Sequence, residues 1–235
     1  MRQSMRYPLI FLLSTLPVTA FAQGFEGAVV DLQYQKYDLR AGSGIDSLEG
    51  TLDAAWSFGT FGAQVGLALG KEIDSSDDLD FGQYKGFALH GTADVSDKFR
   101  LGAMLAYDNR ADDIYMYAVE ALYLGGPLRV EGRVGDSRDN DDPFSLVEAK
   151  GSYAFGSAIT ARAGLHNSNY GEGSYRVFSL GAGYSFGETA EVYADFGRHR
   201  TETSTTSDTG NVISLGVRLN LGGDGNRLFS YQPLN

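Results

Sequence analysis

The chain contains no cysteine. That rules out disulfides and a lipoprotein anchor but leaves the compartment open, because an exported chain held by sheet closure needs no disulfide. Cations are the minority charge, with 19 Lys and Arg against 30 Asp and Glu and a net charge of −11. This argues against nucleic acid as a partner, since phosphate binding requires clustered basic residues. Beyond the N-terminus no run of about 18 apolar residues occurs, which excludes membrane-spanning helices there. No helical period competes for any stretch, and no linker or composition break divides the chain. Phosphate loops, zinc motifs and nucleotide fingerprints are missing, His90 and His199 lack paired metal-ligand spacing, and no cofactor is expected.

What the chain does have is alternation. In 48–58, Leu48, Gly50, Leu52, Ala54, Trp56 and Phe58 interleave with Glu49, Thr51, Asp53, Ala55 and Ser57. After Gly59-Thr60 the pattern restarts as Phe61, Ala63, Val65, Leu67 and Leu69, interleaved with small or polar residues. Period two means β-strand, because successive side chains leave opposite faces, and the two-residue break reads as a tight hairpin turn. The same unit recurs along the chain and gives about twelve strands. The next clear ones are centred on Val30–Leu32–Tyr34, Phe99–Tyr107, Tyr115–Tyr123, Val147–Phe155, Phe178–Phe186 and Ile213–Leu221. Glycine, at 31 residues roughly double its ~7% average share, is concentrated on the less apolar face.

Residues 1–22 read as a cleaved signal peptide. Arg2 and Arg6 precede the short apolar run Leu9-Ile10-Phe11-Leu12-Leu13, and Ala20-Phe21-Ala22 is an A-x-A cleavage site. The barrel is then expected over 23–221, with 222–235 a tail of open placement. Short connections such as Gly59-Thr60, Gly125-Gly126-Pro127, Gly156-Ser157 and Gly187-Glu188 alternate with longer polar segments at 38–45, 71–82, 108–113, 136–143, 167–174 and 200–211. Short turns at one end and long loops at the other describe a transmembrane antiparallel up-and-down β-barrel, all-β, with the short turns periplasmic. Alternation alone also fits a soluble barrel with its apolar face inward. Aromatics at strand ends, charges in mid-strand on the other face, and strands of about ten residues favour apolar-out.

The chain thus resembles the porin-like outer-membrane β-barrels of Gram-negative bacteria. The likeness is carried by the layout and by Ser214-Leu215-Gly216-Val217-Arg218-Leu219-Asn220-Leu221, which fits that group's insertion signal; Ser179–Phe186 fits it equally. The group usually ends on an aromatic in the last strand, whereas here the chain continues past residue 221, with Phe229 and Tyr231 in the extension. The resemblance implies outer-membrane lipid and lipopolysaccharide as surroundings, the barrel-assembly machinery as a partner during insertion, and small polar solutes as cargo.

With the apolar face outward, Arg100, Arg129, Arg133, Lys150 and Arg162 are expected to line one wall of the lumen, and Asp31, Glu49, Asp53, Glu191 and Asp195 the other. Opposed walls set a transverse field that orients polar solutes. Glu120, Glu131, Glu148 and Arg218 interrupt the segregation, and the same charges could instead pair across a narrow lumen and fill it. Eight strands leave a filled barrel and sixteen a channel, so about twelve lies between. Two acidic loops, 71–80 and 136–142, are oxygen-rich but lack the ordered ligand spacing of a calcium site. Finally, His166-Asn167-Ser168-Asn169 resembles the H-x-S-N stretch of outer-membrane phospholipases and lipid A deacylases, which implies a base at His166 and a nucleophile at Ser168. The third, orienting group of those enzymes has no counterpart in 178–182, and His166 shares its face with Thr160 and Arg162. The expectation is therefore a non-enzymatic channel, followed by a non-conducting structural or adhesive barrel with a filled lumen, and then a lipid hydrolase.

Overall fold

The computed structural model describes residues 24–38, 44–73, 83–109, 114–138, 143–171, 173–223 and 227–231. The expected signal peptide lies outside these residues, as do most of the two acidic loops. Twelve strands alternate along the chain: β1 (Phe25–Asp38), β2 (Gly44–Phe58), β3 (Phe61–Ile73), β4 (Gln83–Ser96), β5 (Phe99–Asp108), β6 (Ile114–Gly125), β7 (Leu128–Arg138), β8 (Pro143–Phe155), β9 (Ile159–Tyr170), β10 (Gly173–Phe186), β11 (Ala190–Glu202) and β12 (Ser207–Gly223). Each pairs antiparallel with its sequence neighbours, and β1 pairs with β12 to close the barrel. Closure leaves no sheet edge, so every strand's backbone is satisfied laterally.

The two faces are inverted relative to a soluble barrel. Phe61, Leu69, Leu105, Val119, Phe155, Leu180 and Phe196 are among the large apolar side chains exposed on the outer surface, while Glu49, Asp53, Gln64, His90, Arg100, Glu120, Glu131 and Arg133 are buried inside. Only a surrounding apolar medium makes such an outer face favourable, since exposed apolar area costs about 25 cal/mol per Å² in water. Aromatics cluster near both ends of the strands, with Tyr153–Phe155 and Tyr184–Phe186 ring pairs toward the short turns and a Tyr107–Tyr115 pair toward the opposite end.

At the short-turn end, Gly59, Gly126, Gly156 and Gly187 all have positive φ, which lets the hairpins turn tightly. At the other end the strands run past the limits read from apolar alternation. β9 continues to Tyr170 and β10 starts at Gly173, so the 167–174 segment is mostly strand, and β11 and β12 likewise absorb much of 200–211. The alternation fades there because those side chains lie beyond the apolar belt, yet the hydrogen-bond ladder carries on without it. One bulge matters for the lumen: register shifts at Gly27 of β1, and Glu26 turns inward to reach Arg100.

Candidate functional site: a half-filled lumen

The lumen has two unlike halves. Along β3 to β8 it is packed, with Ala68, Ala88, Met104, Ala106, Met116, Ala118 and Leu146 forming a buried cluster with Tyr231. Along β8 to β12 and β1 it is open, a cavity of about 800 Å³ that reaches from the short-turn rim at Gly126, Gly156 and Gly187 to Tyr37 and Tyr175.

The packed half is filled by the chain's own tail. Beyond β12, residues 227–231 lie inside the barrel, with Phe229 and Tyr231 at 0% and 1% exposure. The tail is held by its backbone. Gln64 accepts from Phe229 N at 2.9 Å and donates back to the Phe229 carbonyl. Arg129 and Arg133 donate to the carbonyls of Leu228 and Ser230, each at 2.7 Å, and Arg100 donates to that of Arg227 at 3.0 Å. Glu131 accepts from Ser230 N at 3.0 Å, and Phe229 lies parallel to His90 with ring centroids 6.1 Å apart. Arg227 reaches Asp94 at 2.8 Å. Inward-facing glycines make the room. A Cβ on Gly66 would meet Tyr231 at 2.8 Å, one on Gly86 would run into the Tyr231 hydroxyl, and one on Gly102 would meet Phe229 at 2.9 Å. These lumen glycines are therefore sockets for aromatic rings as much as surfaces for water. Substituting Gly86 by Val should eject Tyr231 while the ladder survives. Limited proteolysis should then cut the tail of the variant and spare that of the wild-type barrel.

All ten charged residues singled out above lie on inward-facing positions or against the tail, but few are free wall charges. Arg133 is the hub: its guanidinium reaches Glu120 at 2.8 Å, Glu148 at 3.0 Å and Glu131 at 3.7 Å. Glu120 in turn bonds His90 at 2.7 Å. Arg129 pairs with Glu131, and Lys150 with Glu148 at 3.0 Å. Arg100 does not border the cavity; Glu26 and Asp94 clamp it near the short-turn end, each at 2.7 Å. Asp53 accepts from Gln64, and Glu49 accepts from the Tyr84 hydroxyl at 2.7 Å. On the open side Arg162 sits between Asp195 at 3.3 Å and Glu191 at 3.7 Å, stacked 4.0 Å over the Tyr193 ring. Arg218 pairs with Asp31 at 2.8 Å, and the Tyr193 hydroxyl donates to the same Asp31 at 2.6 Å. The basic and acidic strands thus meet as ion pairs, and the open half carries a mosaic in place of two clean walls.

Register explains the hub. Glu120, Arg133 and Glu148 are direct cross-strand partners on β6, β7 and β8, all facing inward. The tail's place inside the lumen is the feature hardest to read from sequence. Its aromatics are local, but the tail's binding partners are 80 to 165 residues away.

His166 and Ser168 both face inward on β9, and Ser168 is buried. His166 packs edge-on to Tyr175 at 5.9 Å, and among the described residues no hydrogen bond joins it to Ser168. No group of three or more metal-ligating side chains occurs among the described residues.

No family model and no curated protein matches the sequence. Solved structures do match the fold. A structure titled KdgM porin superposes with a TM-score of 0.57 at 11% identity, covering 81% of this chain and 98% of that one. A NanC porin gives 0.60 at 10% identity over 82% of this chain and 100% of that one. The COG4313 outer membrane channel from Pseudomonas putida F1 gives 0.61 at 16% identity over 94% and 100%. The chain therefore has the closed antiparallel β-barrel fold shared by outer-membrane porins and channels.

Proposed function

We propose that this protein is an outer-membrane channel for passive diffusion of small polar or charged solutes. Solutes would travel through the open half of the lumen, past the mosaic of Arg162, Arg218, Lys150, Asp31, Glu191 and Asp195. The observation that carries this reading is the continuous charge-lined cavity of about 800 Å³ beside the tail. A closed barrel with an apolar exterior and a polar, water-accessible interior has the construction of a diffusion pore. The likeness to porins supports the reading at the level of fold. Transport here needs no cofactor and no covalent step; width and wall charge do the filtering.

The test is single-channel recording of the refolded mature protein in a planar bilayer under a salt gradient. Stable stepwise conductance is expected. A correctly folded barrel that stays electrically silent would leave the second reading, a structural or adhesive barrel, which the packed half of the lumen favours.

Selectivity offers a sharper check. Arg162 and Arg218 each neutralise carboxylates that border the open half. Changing both to Ala removes two positive charges and frees Asp31, Glu191 and Asp195 toward the water. The reversal potential should move in the cation-selective direction. An unchanged reversal potential would mean that ions take a route away from these residues.

A further inference from the structure

The outer surface carries one feature that diffusion does not use. β10 and β11 present Arg176, Arg198 and Arg200 on the lipid-facing side near their long-loop ends, all exposed. Arg176 and Arg200 are direct cross-strand partners, and Arg198 stands opposite Phe178, the next outward residue along β10. Like charges directly opposite each other destabilise a sheet. In a chain with a net charge of −11, that juxtaposition is conspicuous.

The arginines are only lightly engaged. Arg176 Nε donates to Asn167 at 2.9 Å, and Arg200 pairs with Glu202, the carboxylate that faces the patch. Arg198 has no ion pair or hydrogen bond among the described residues. Asn167, Thr209 and Asn211 flank them in register and add uncharged hydrogen-bonding groups. Toward the middle of the barrel the same face turns apolar at once, with Leu165, Phe178, Phe196 and Ile213 all exposed. The patch therefore sits where the apolar belt meets water. That is the depth of a lipid headgroup, and guanidinium forks match phosphate oxygens in pairs.

We propose that Arg176, Arg198 and Arg200 bind the phosphate of a phosphorylated outer-leaflet lipid, whose acyl chains lie against Leu165, Phe178, Phe196 and Ile213. The proposal rests on the outer-membrane reading above, with the long-loop end facing outward. The bound phosphate offsets the repulsion between Arg176 and Arg200 and fixes the barrel's depth on this side.

The test uses the full mature chain inserted into phosphatidylcholine vesicles doped with lipid A, then extracted and weighed by native mass spectrometry. Wild-type barrels should retain lipid A, and the R176Q/R198Q/R200Q variant should retain about a hundredfold less, as expected from the loss of three surface cations. Dephosphorylated lipid A should be held weakly and equally by both. A K71Q/K85Q variant, altered on the outer face of β3 and β4, should retain as much as wild type. Equal retention by wild type and the triple variant overturns the site, as does an equal loss in the lysine variant, which would mean diffuse attraction. Strong displacement by soluble pyrophosphate would also overturn it, because the pocket would then read a free anion and not a lipid. Failure of the wild-type chain to enter vesicles would remove the membrane reading itself, whereas insertion without selective retention removes only this site. Heat-modifiable gel mobility confirms that each variant is folded.

Discussion

Deleting residues 227–235 should raise single-channel conductance about two- to fourfold, as expected when a strand-sized plug leaves a barrel of this width. The tail occupies the lumen beside β3 to β8, with Phe229 and Tyr231 fully enclosed. The closing β1–β12 ladder involves none of its residues, so the truncated barrel should still fold. Its removal exposes Gln64 to water and joins the packed half to the open one. The effect should be graded: Phe229→Ala with Tyr231→Ala should widen the path less than the deletion, because the backbone stays tied to Arg129 and Arg133. Planar-bilayer recording of the three forms in one salt tests this. Identical conductances would show that the ions never share space with the tail.

The second large effect is on stability. Replacing Arg133 by Ala should destabilise the barrel by about 3–5 kcal/mol, the cost of leaving buried charges uncompensated. Arg133 is 3% exposed and neutralises Glu120, Glu131 and Glu148 together, while also holding the Ser230 carbonyl. Its loss leaves carboxylates facing one another at largely buried positions. Lysine at this position should rescue poorly, since one ammonium cannot serve several acceptors set at fork geometry. Adding Glu120→Gln to Arg133→Ala should recover part of the loss by removing one of the stranded charges. Urea unfolding from lipid vesicles, followed by tryptophan fluorescence from Trp56, measures all four proteins. A midpoint for Arg133→Ala within error of wild type would mean that water reaches the hub.

Much of the architecture was legible because the code for it is local. Residues 48–69 spell out two strands, a turn and two unlike faces, and the same period recurs to Leu221. Inward orientation of Arg129, Arg162, Asp31 and Glu191 follows from that period alone. Pairing does not, because it depends on register across strands far apart in sequence, as with Arg218 and Asp31, 187 residues apart. Strand ends at the long-loop side were read short, since alternation stops at the edge of the apolar belt while the ladder continues through Tyr170 and Glu202. The tail carried a faint signal, in that Gly66, Gly86 and Gly102 all fall on inward positions of consecutive strands. Glycines on a wet wall look the same in one dimension as glycines under an aromatic ring.

The tail's position also has a consequence for the order of assembly. Its holding groups come from β3, β4, β5, β7 and β8, with a sequence separation of 165 residues at Gln64 and 127 at Arg100. Contacts this remote form slowly, because loop-closure entropy comes before their reward. Residues 227–231 come after β12 in the chain, so docking of the tail is expected to follow closure of the β1–β12 seam. On that order the lumen is expected to be wide in the newly closed barrel and to narrow as the tail docks. A population caught between these stages would show two conductance levels whose ratio drifts with time after refolding.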